Sequence, residues 1–359
     1  MNSPGCVLPW IQLGYANLIL LMIPLQAVVS LDGEHVNVEK IQNMQLLLPK
    51  PEEIQRLKQV RCGQHENLGQ AELFFLSVMK VDRFEKKLAA FKFFLQFNEA
   101  AESLRSPLGL LAKACDQVVQ NKKLASLLRR LLAVGNIMNE SAGKPKAAGI
   151  TLDSPIKTAQ KKGSDGTTVL DHLVTTSMSN NLDFIDFWEG MPAVVGALRL
   201  DLGDLRCLLQ EARNNLQSVE RSVEAEKTKA NQLDGSSISE ASEKFIHTLV
   251  SFLQRATVEV ENINTFFGEA ERKVQSLCSF FAEDHNTCKV HSIVCVVWCP
   301  FYTKRLTTTV FVKASTIFGV LLEFSRLVNK SKDRYHRKIE STTRRESIAK
   351  NKGKDKLNP

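Results

Sequence analysis

The chain has 359 residues, of which 43% are hydrophobic and 24% charged, close to globular averages, so a disordered, collagenous or disulfide-miniature protein is excluded. Its eight cysteines include no C-x-x-C, which leaves neither a zinc ribbon nor a thioredoxin-type motif and points to a reducing, intracellular setting. The net charge of +8 is local: residues 326–359 hold twelve basic and four acidic residues, and the rest of the chain is neutral. That distribution argues against nucleic acid as the partner and reads as a solvated, basic terminal segment.

The apolar stretch 18–29 is interrupted by Pro24 and Gln26 and falls short of the roughly 20 residues that span a bilayer. No Lys or Arg precedes it, so it is a poor signal peptide as well. From Val38 onward helical spacing dominates. Residues 38–48 form a first helix, stopped by Pro49 and Pro51, and a second opens at Glu52 and Glu53. An aromatic stripe of Phe74, Phe75, Phe84, Phe91, Phe93, Phe94 and Phe97 reads as core. Residues 108–118 keep the helical period. Residues 124–138 are apolar on most sides, as in a central helix. A small-residue loop, 141–149, follows, and Ser154 as N-cap with Pro155 at the first helical position predicts the next helix.

The clearest period is Leu198, Leu202, Leu205, Leu209, Ala212, Leu216, Val219 and Val223, an unbroken alternation of four and three that predicts a coiled-coil seam. A polar break at 233–237 separates it from a second long amphipathic helix over 239–282, with Phe245, Leu249, Phe252, Ala256, Ile263, Phe267, Ala270, Val274 and Leu277 on one side. Residues 289–313 are rich in β-branched residues, contain no acidic residue and break the pattern. Helical spacing resumes over 314–328.

No catalytic constellation is present: G-x-G-x-x-G, a Walker loop, H-E-x-x-H and G-x-S-x-G are all missing. Of the seven histidines only His285 and His291, flanking Cys288, approach ligand spacing, and they do not suffice for a metal site. We therefore expect no enzyme, no cofactor and no metal.

The segment Leu127-Leu128-Arg129-Arg130-Leu131-Leu132-Ala133-Val134-Gly135-Asn136-Ile137-Met138-Asn139 resembles the hallmark of the formin homology 2 domain of formins, an apolar helix ending in G-N-x-M-N before a small-residue loop. Thr168-Val169-Leu170-Asp171-His172-Leu173-Val174 is similar to the family's T-L-L-H-Y-L segment, and the stretches 66–76 and 79–83 resemble the region around its V-P-R. The resemblance runs from about Ala27 to Val328. It implies an all-α, elongated multi-helix bundle with a coiled-coil segment, and an actin-binding protein that regulates filament nucleation and elongation at barbed ends, in the cytoplasm and on the cytoskeleton. By the same resemblance residues 38–97 belong to the knob. Gly135, Asn136, Met138, Asn139 and Gly149 lie in the post region that receives a partner's lasso, and Lys157 contacts actin.

Read physically, Gly135 permits close approach of another backbone, and the Asn136 and Asn139 amides can bridge the helix end to a loop. A local kink and C-cap, or for Lys157 a solvated helix lysine, are the alternatives. In the family's G-F-K-L positions Ile150 and Thr151 occupy the second and third places, which removes a cation. Residues 1–26 do not resemble the lasso, so a homodimer is expected to be weakened, since a head-to-tail ring needs both arm and socket. We read 1–26 as an atypical N-terminal segment, 27–330 as the FH2-like domain with 290–313 as an insertion or unspliced segment, and 331–359 as a basic tail. Two alternatives are a helical coiled-coil scaffold with a non-actin partner, and a membrane-associated protein using 18–29 and the tail as interfacial contacts.

Overall fold

The computed structural model describes residues 24–58, 69–232, 240–281 and 314–354. Every regular element among them is helical. In chain order these are α1 (Pro24–Val29), α2 (Val38–Leu46), α3 (Pro51–Lys58), α4 (Gln70–Lys80), α5 (Phe84–Val119), α6 (Lys122–Ser141), α7 (Ser154–Ala159), α8 (Val169–Ser179), a 3₁₀ segment (Phe184–Gly190), α9 (Pro192–Ala197), α10 (Leu202–Gln232), α11 (Glu240–Phe280) and α12 (Ala314–Lys354). The one extended pairing described is an isolated antiparallel bridge from Lys162 to Thr168. The fold is thus the all-α bundle that the helical spacing predicts. The polar break 233–237, the Cys288 cluster and the segment 290–313 lie outside the described residues.

The chain divides into two compact units, Met1–Leu104 with Cys207–Asn264, and Arg105–Arg206 with Thr265–Pro359. In the first unit the aromatic stripe is core. Phe84, Phe91, Phe93 and Phe97 of α5 are buried, and Phe252 of α11 meets the rings of Phe93, Phe94 and Phe97 edge-on at 5.9, 5.2 and 5.2 Å. Such edge-to-face contacts add to the burial term. Val28, Val36, Ile41 and Met44 of the α1–α2 region are completely buried. Because Ala27 and Val28 are core, this end of the 18–29 stretch is not an exposed interfacial face. No described helix is long and apolar enough to cross a membrane.

The second unit is built on Leu108, Leu111 and Val118 of α5, Leu124, Leu127 and Leu131 of α6, Phe187 of the 3₁₀ segment and Phe318 and Phe324 of α12, with Phe187 and Phe324 stacked at 5.6 Å. Asn121 fixes the start of α6: its Oδ1 accepts from the Leu124 N–H (2.8 Å) and its Nδ2 donates to the Phe187 carbonyl (2.8 Å). The cap therefore also ties α6 to the 3₁₀ segment.

Three expectations are corrected. Leu198 does not belong to the seam: it sits at the C-cap of α9, and α10 begins only at Leu202. The 4-3 spacing persists across this break, but spacing cannot detect where one helix ends and the next begins. Within α10, Leu202, Leu205, Leu209, Ala212, Val219 and Val223 are buried and Leu216 is half-buried. Second, α6 is buried as a central helix would be only in its first half, at Leu124, Leu127, Leu128 and Leu131. From Ala133 on it is exposed or half-exposed, with Ile137 at 67%. Third, the N-cap of α7 is Asp153, one residue earlier than Ser154; the Ser154 hydroxyl pairs with Thr151 Oγ1 at 2.7 Å, and Pro155 does lie in the first turn.

Candidate protein-binding surface around the end of helix α6

Helix α6 ends in a left-handed cap. Gly143 has φ +66°, its N–H donates to the Glu140 carbonyl (3.0 Å), and the Lys144 N–H donates to the Asn139 carbonyl (2.8 Å). This pair of bonds is the Schellman pattern, and a residue without Cβ suits its positive φ. The helix thus runs past the G-N-x-M-N segment and stops at Ser141. Asn139 contributes its backbone carbonyl to the cap, and the Met138 carbonyl accepts from Ser141 Oγ (2.9 Å).

Asn136 is the residue that holds the following loop. Its Oδ1 accepts from the Ala147 N–H (2.7 Å) and its Nδ2 donates to the Ala147 carbonyl (3.0 Å), so one amide satisfies both backbone groups of a single loop residue. Only Asn or Gln presents such a donor and acceptor side by side. Gly135 plays a smaller part than its resemblance to a close-approach site implies: a Cβ there would meet only the Thr158 side chain at 3.9 Å, and no backbone comes near. Gly149 is exposed with open space around it.

Past the pinned loop, buried Leu152 and Pro155 anchor its far end and deliver the chain into α7. Lys157 on α7 is 75% exposed and 3.5 Å from Asp153, which is itself 68% exposed. Exposed pairs of this kind contribute little to stability, which leaves the cation available to another molecule. Four further exposed lysines, Lys144, Lys146, Lys161 and Lys162, share the loop-helix-turn segment, and Lys146 pairs with Glu140 at 3.3 Å. Sequence reasoning singled out Lys157 alone; the i, i+4 step from Lys157 to Lys161 was the signal for the wider basic surface.

The segment is held from behind by α8. Thr168 and Asp171 form a capping box, with the Asp171 N–H donating to Thr168 Oγ1 and the Thr168 N–H to Asp171 Oδ2, both at 3.1 Å. Asp171 Oδ1 also accepts from Ser331 Oγ (2.5 Å) and from Arg334 Nε (2.9 Å) of α12. Burial pushes this carboxyl up, but hydrogen bonds from Ser331, Thr168 and Arg334 outweigh it and hold the pKa at about 2. Lys332 pairs with Asp186 of the 3₁₀ segment.

Among the described residues no group of three or more His, Cys, Asp or Glu could hold a metal ion. Cys115 is buried, its thiol pushed up to about 12 by burial and by the neighbouring Asp116, which makes it a poor nucleophile. In an open cleft beside the start of α6, Gln117 Oε1 accepts from the Ala193 N–H (2.9 Å) and Asn121 is engaged as above.

Residues 24–303 match the family model for the formin homology 2 domain. The chain is 28% identical over 269 residues to formin-like protein 5 of Oryza sativa subsp. japonica, covering 75% of this chain and 16% of that protein. It is 29% identical over 274 residues to formin-like protein 3 of the same plant (76% and 21%), and 26% identical over 337 residues to formin-like protein 13 of Arabidopsis thaliana (92% and 24%). It therefore spans about a fifth of the length of the curated relatives it matches. With an all-α architecture and a family match over most of its length, the chain belongs to the formin homology 2 domain family.

Proposed function

We propose that this chain binds actin and regulates filament nucleation and elongation at barbed ends, as a formin-type component of the cytoskeleton. Family membership supports the class of activity. The observation that carries the surface assignment is the segment from Asn136 to Lys162, where a side-chain amide pins a loop and the following helix presents an exposed Lys157 among other exposed lysines. A cationic, preorganised surface suits an acidic protein partner, because charge complementarity speeds encounter and little ordering is needed on binding. Lys157 supplies the actin contact. Gly135, Asn136, Met138, Asn139 and Gly149 form the area that takes a segment from a second copy of the chain, and residues 27–330 constitute the functional domain.

Purified protein added to polymerising actin tests the proposal. The expected result is a changed barbed-end assembly rate together with co-sedimentation with filaments. Lys157→Ala should weaken the effect about fivefold, the worth of one interfacial charge near 1 kcal/mol, without altering helical content. No effect of the parent chain on nucleation, elongation or capping, with no co-sedimentation, would overturn it. Intact interactions in Lys157→Ala would favour a helical scaffold with a non-actin partner. Light scattering of the chain alone measures self-association.

A further inference from the structure

The last turns of α12 carry a feature that the actin surface does not use. From His336 to Ser347 every residue is exposed, whereas the same helix is buried at Phe318, Leu321, Phe324, Val328 and Ser331. Within this uncovered stretch lies Arg344-Arg345-Glu346-Ser347, and Ile348 is next in the sequence. Arg344, Arg345 and Ser347 are all exposed, and the Ser347 hydroxyl donates only within its own helix, to the Arg344 carbonyl at 2.9 Å.

We propose that Ser347 is a phosphoryl acceptor for an arginine-directed serine/threonine kinase. Two guanidinium groups two and three residues before a hydroxyl match the paired acidic pockets by which such kinases select substrates, and an apolar residue follows. Kinase clefts take their substrates extended. Unwinding this part of α12 sacrifices helical hydrogen bonds but no core contact, so the acceptor is reached by local opening rather than unfolding.

Among the described residues, other hydroxyls lack one of these properties. Ser325 and Ser331 are 3% and 1% exposed. Ser164 follows Lys161 and Lys162 at the same spacing but precedes the anionic Asp165, and Ser341 has a cation three residues before it but Ile339 at the second position. In the transfer, the bond between the γ-phosphorus of ATP and its bridging oxygen breaks as the Ser347 Oγ–P bond forms. The hydroxyl proton passes to a kinase carboxylate and ADP leaves, with no change of oxidation state. The product dianion lies one turn from Arg344 and cancels about two of the positive charges on the terminal stretch.

The test uses the full chain, magnesium ATP and the catalytic subunit of cyclic AMP-dependent protein kinase as the probe, with the site mapped by tandem mass spectrometry. The expected result is phosphate on Ser347, lost in Ser347→Ala, and a kcat/KM lower by about tenfold or more in the Arg344→Ala/Arg345→Ala double variant, which retains Ser347. All three side chains are exposed, and an unchanged circular dichroism spectrum verifies that the variants fold. Absence of incorporation, equal incorporation into Ser347→Ala, or a double variant phosphorylated as well as the parent would each overturn the proposal. The readout is phosphate itself and does not depend on actin binding.

Discussion

Asp171 closes the first turn of α8 and fastens α12 to it, and its low pKa makes that junction sensitive to acid. Its pKa lies near 2 in the folded chain against an ordinary 3.8, so the contribution to stability is fully present above pH 4 and is lost as the pH falls through about 2. Denaturant unfolding of the parent chain should show a steeper loss of stability between pH 4 and 2 than Asp171→Asn shows, by about 1–2 kcal/mol once solvent screening is allowed for. A second residue-scale case is Lys87, 5% exposed, whose Nζ lies 3.1 Å from Glu226, 9% exposed, and 5.5 Å from the centre of the Phe245 ring. A pair buried to this degree is costly to break but not necessarily to replace. Lys87→Met alone should destabilise by about 3 kcal/mol, because it strands a buried carboxylate, and adding Glu226→Leu should restore most of the loss. A double-mutant cycle in denaturant measures both.

At the scale of elements, the seam of α10 separates positions that composition alone treats alike. Leu205 is 5% exposed and Leu208, three residues on, is 44% exposed. Leu205→Ala should cost about 2–4 kcal/mol and Leu208→Ala less than about 1, measured as shifts in denaturation midpoint at constant slope. The sequence period assigns Leu205 correctly, since a helical stripe repeats every three or four residues regardless of what it packs against. It fails at Leu198 because helix stops at Ala197 and restarts at Leu202 without disturbing the spacing. In α6 the opposite happens: Leu, Ala, Val, Ile and Met continue to Met138, yet the helix leaves the core after Leu131. Only the neighbouring elements decide which apolar residues find a partner.

At the scale of the whole molecule, α12 runs without interruption across Lys330 and Ser331, so the first basic residues of the terminal segment, Lys332 and Arg334, are structural and the later ones are not. Ser331, Lys332 and Arg334 join α12 to Asp171 and Asp186, whereas everything from His336 to Ser347 is exposed. Truncation after Lys330 should therefore lower the melting temperature by about 5 °C, for about 2 kcal/mol lost in a unit of this size, and truncation after His336 by about 1 °C or less. Equal melting temperatures for the two truncations in a thermal scan would contradict that division of the helix.

The sequence by itself determined the helical class, the aromatic core of α5, the stripe of α11 and the motif order that identifies the family, because each depends on residue periodicity or local pattern. The tertiary structure decided that Asn136 grips Ala147, that Gly135 meets only Thr158, that Asp171 collects Ser331 and Arg334 from 160 residues or more away, and where the basic helix parts from the core. Those facts rest on distances between chain segments far apart in sequence. Helical spacing fixes which face of a segment is apolar, but not what comes to lie against it.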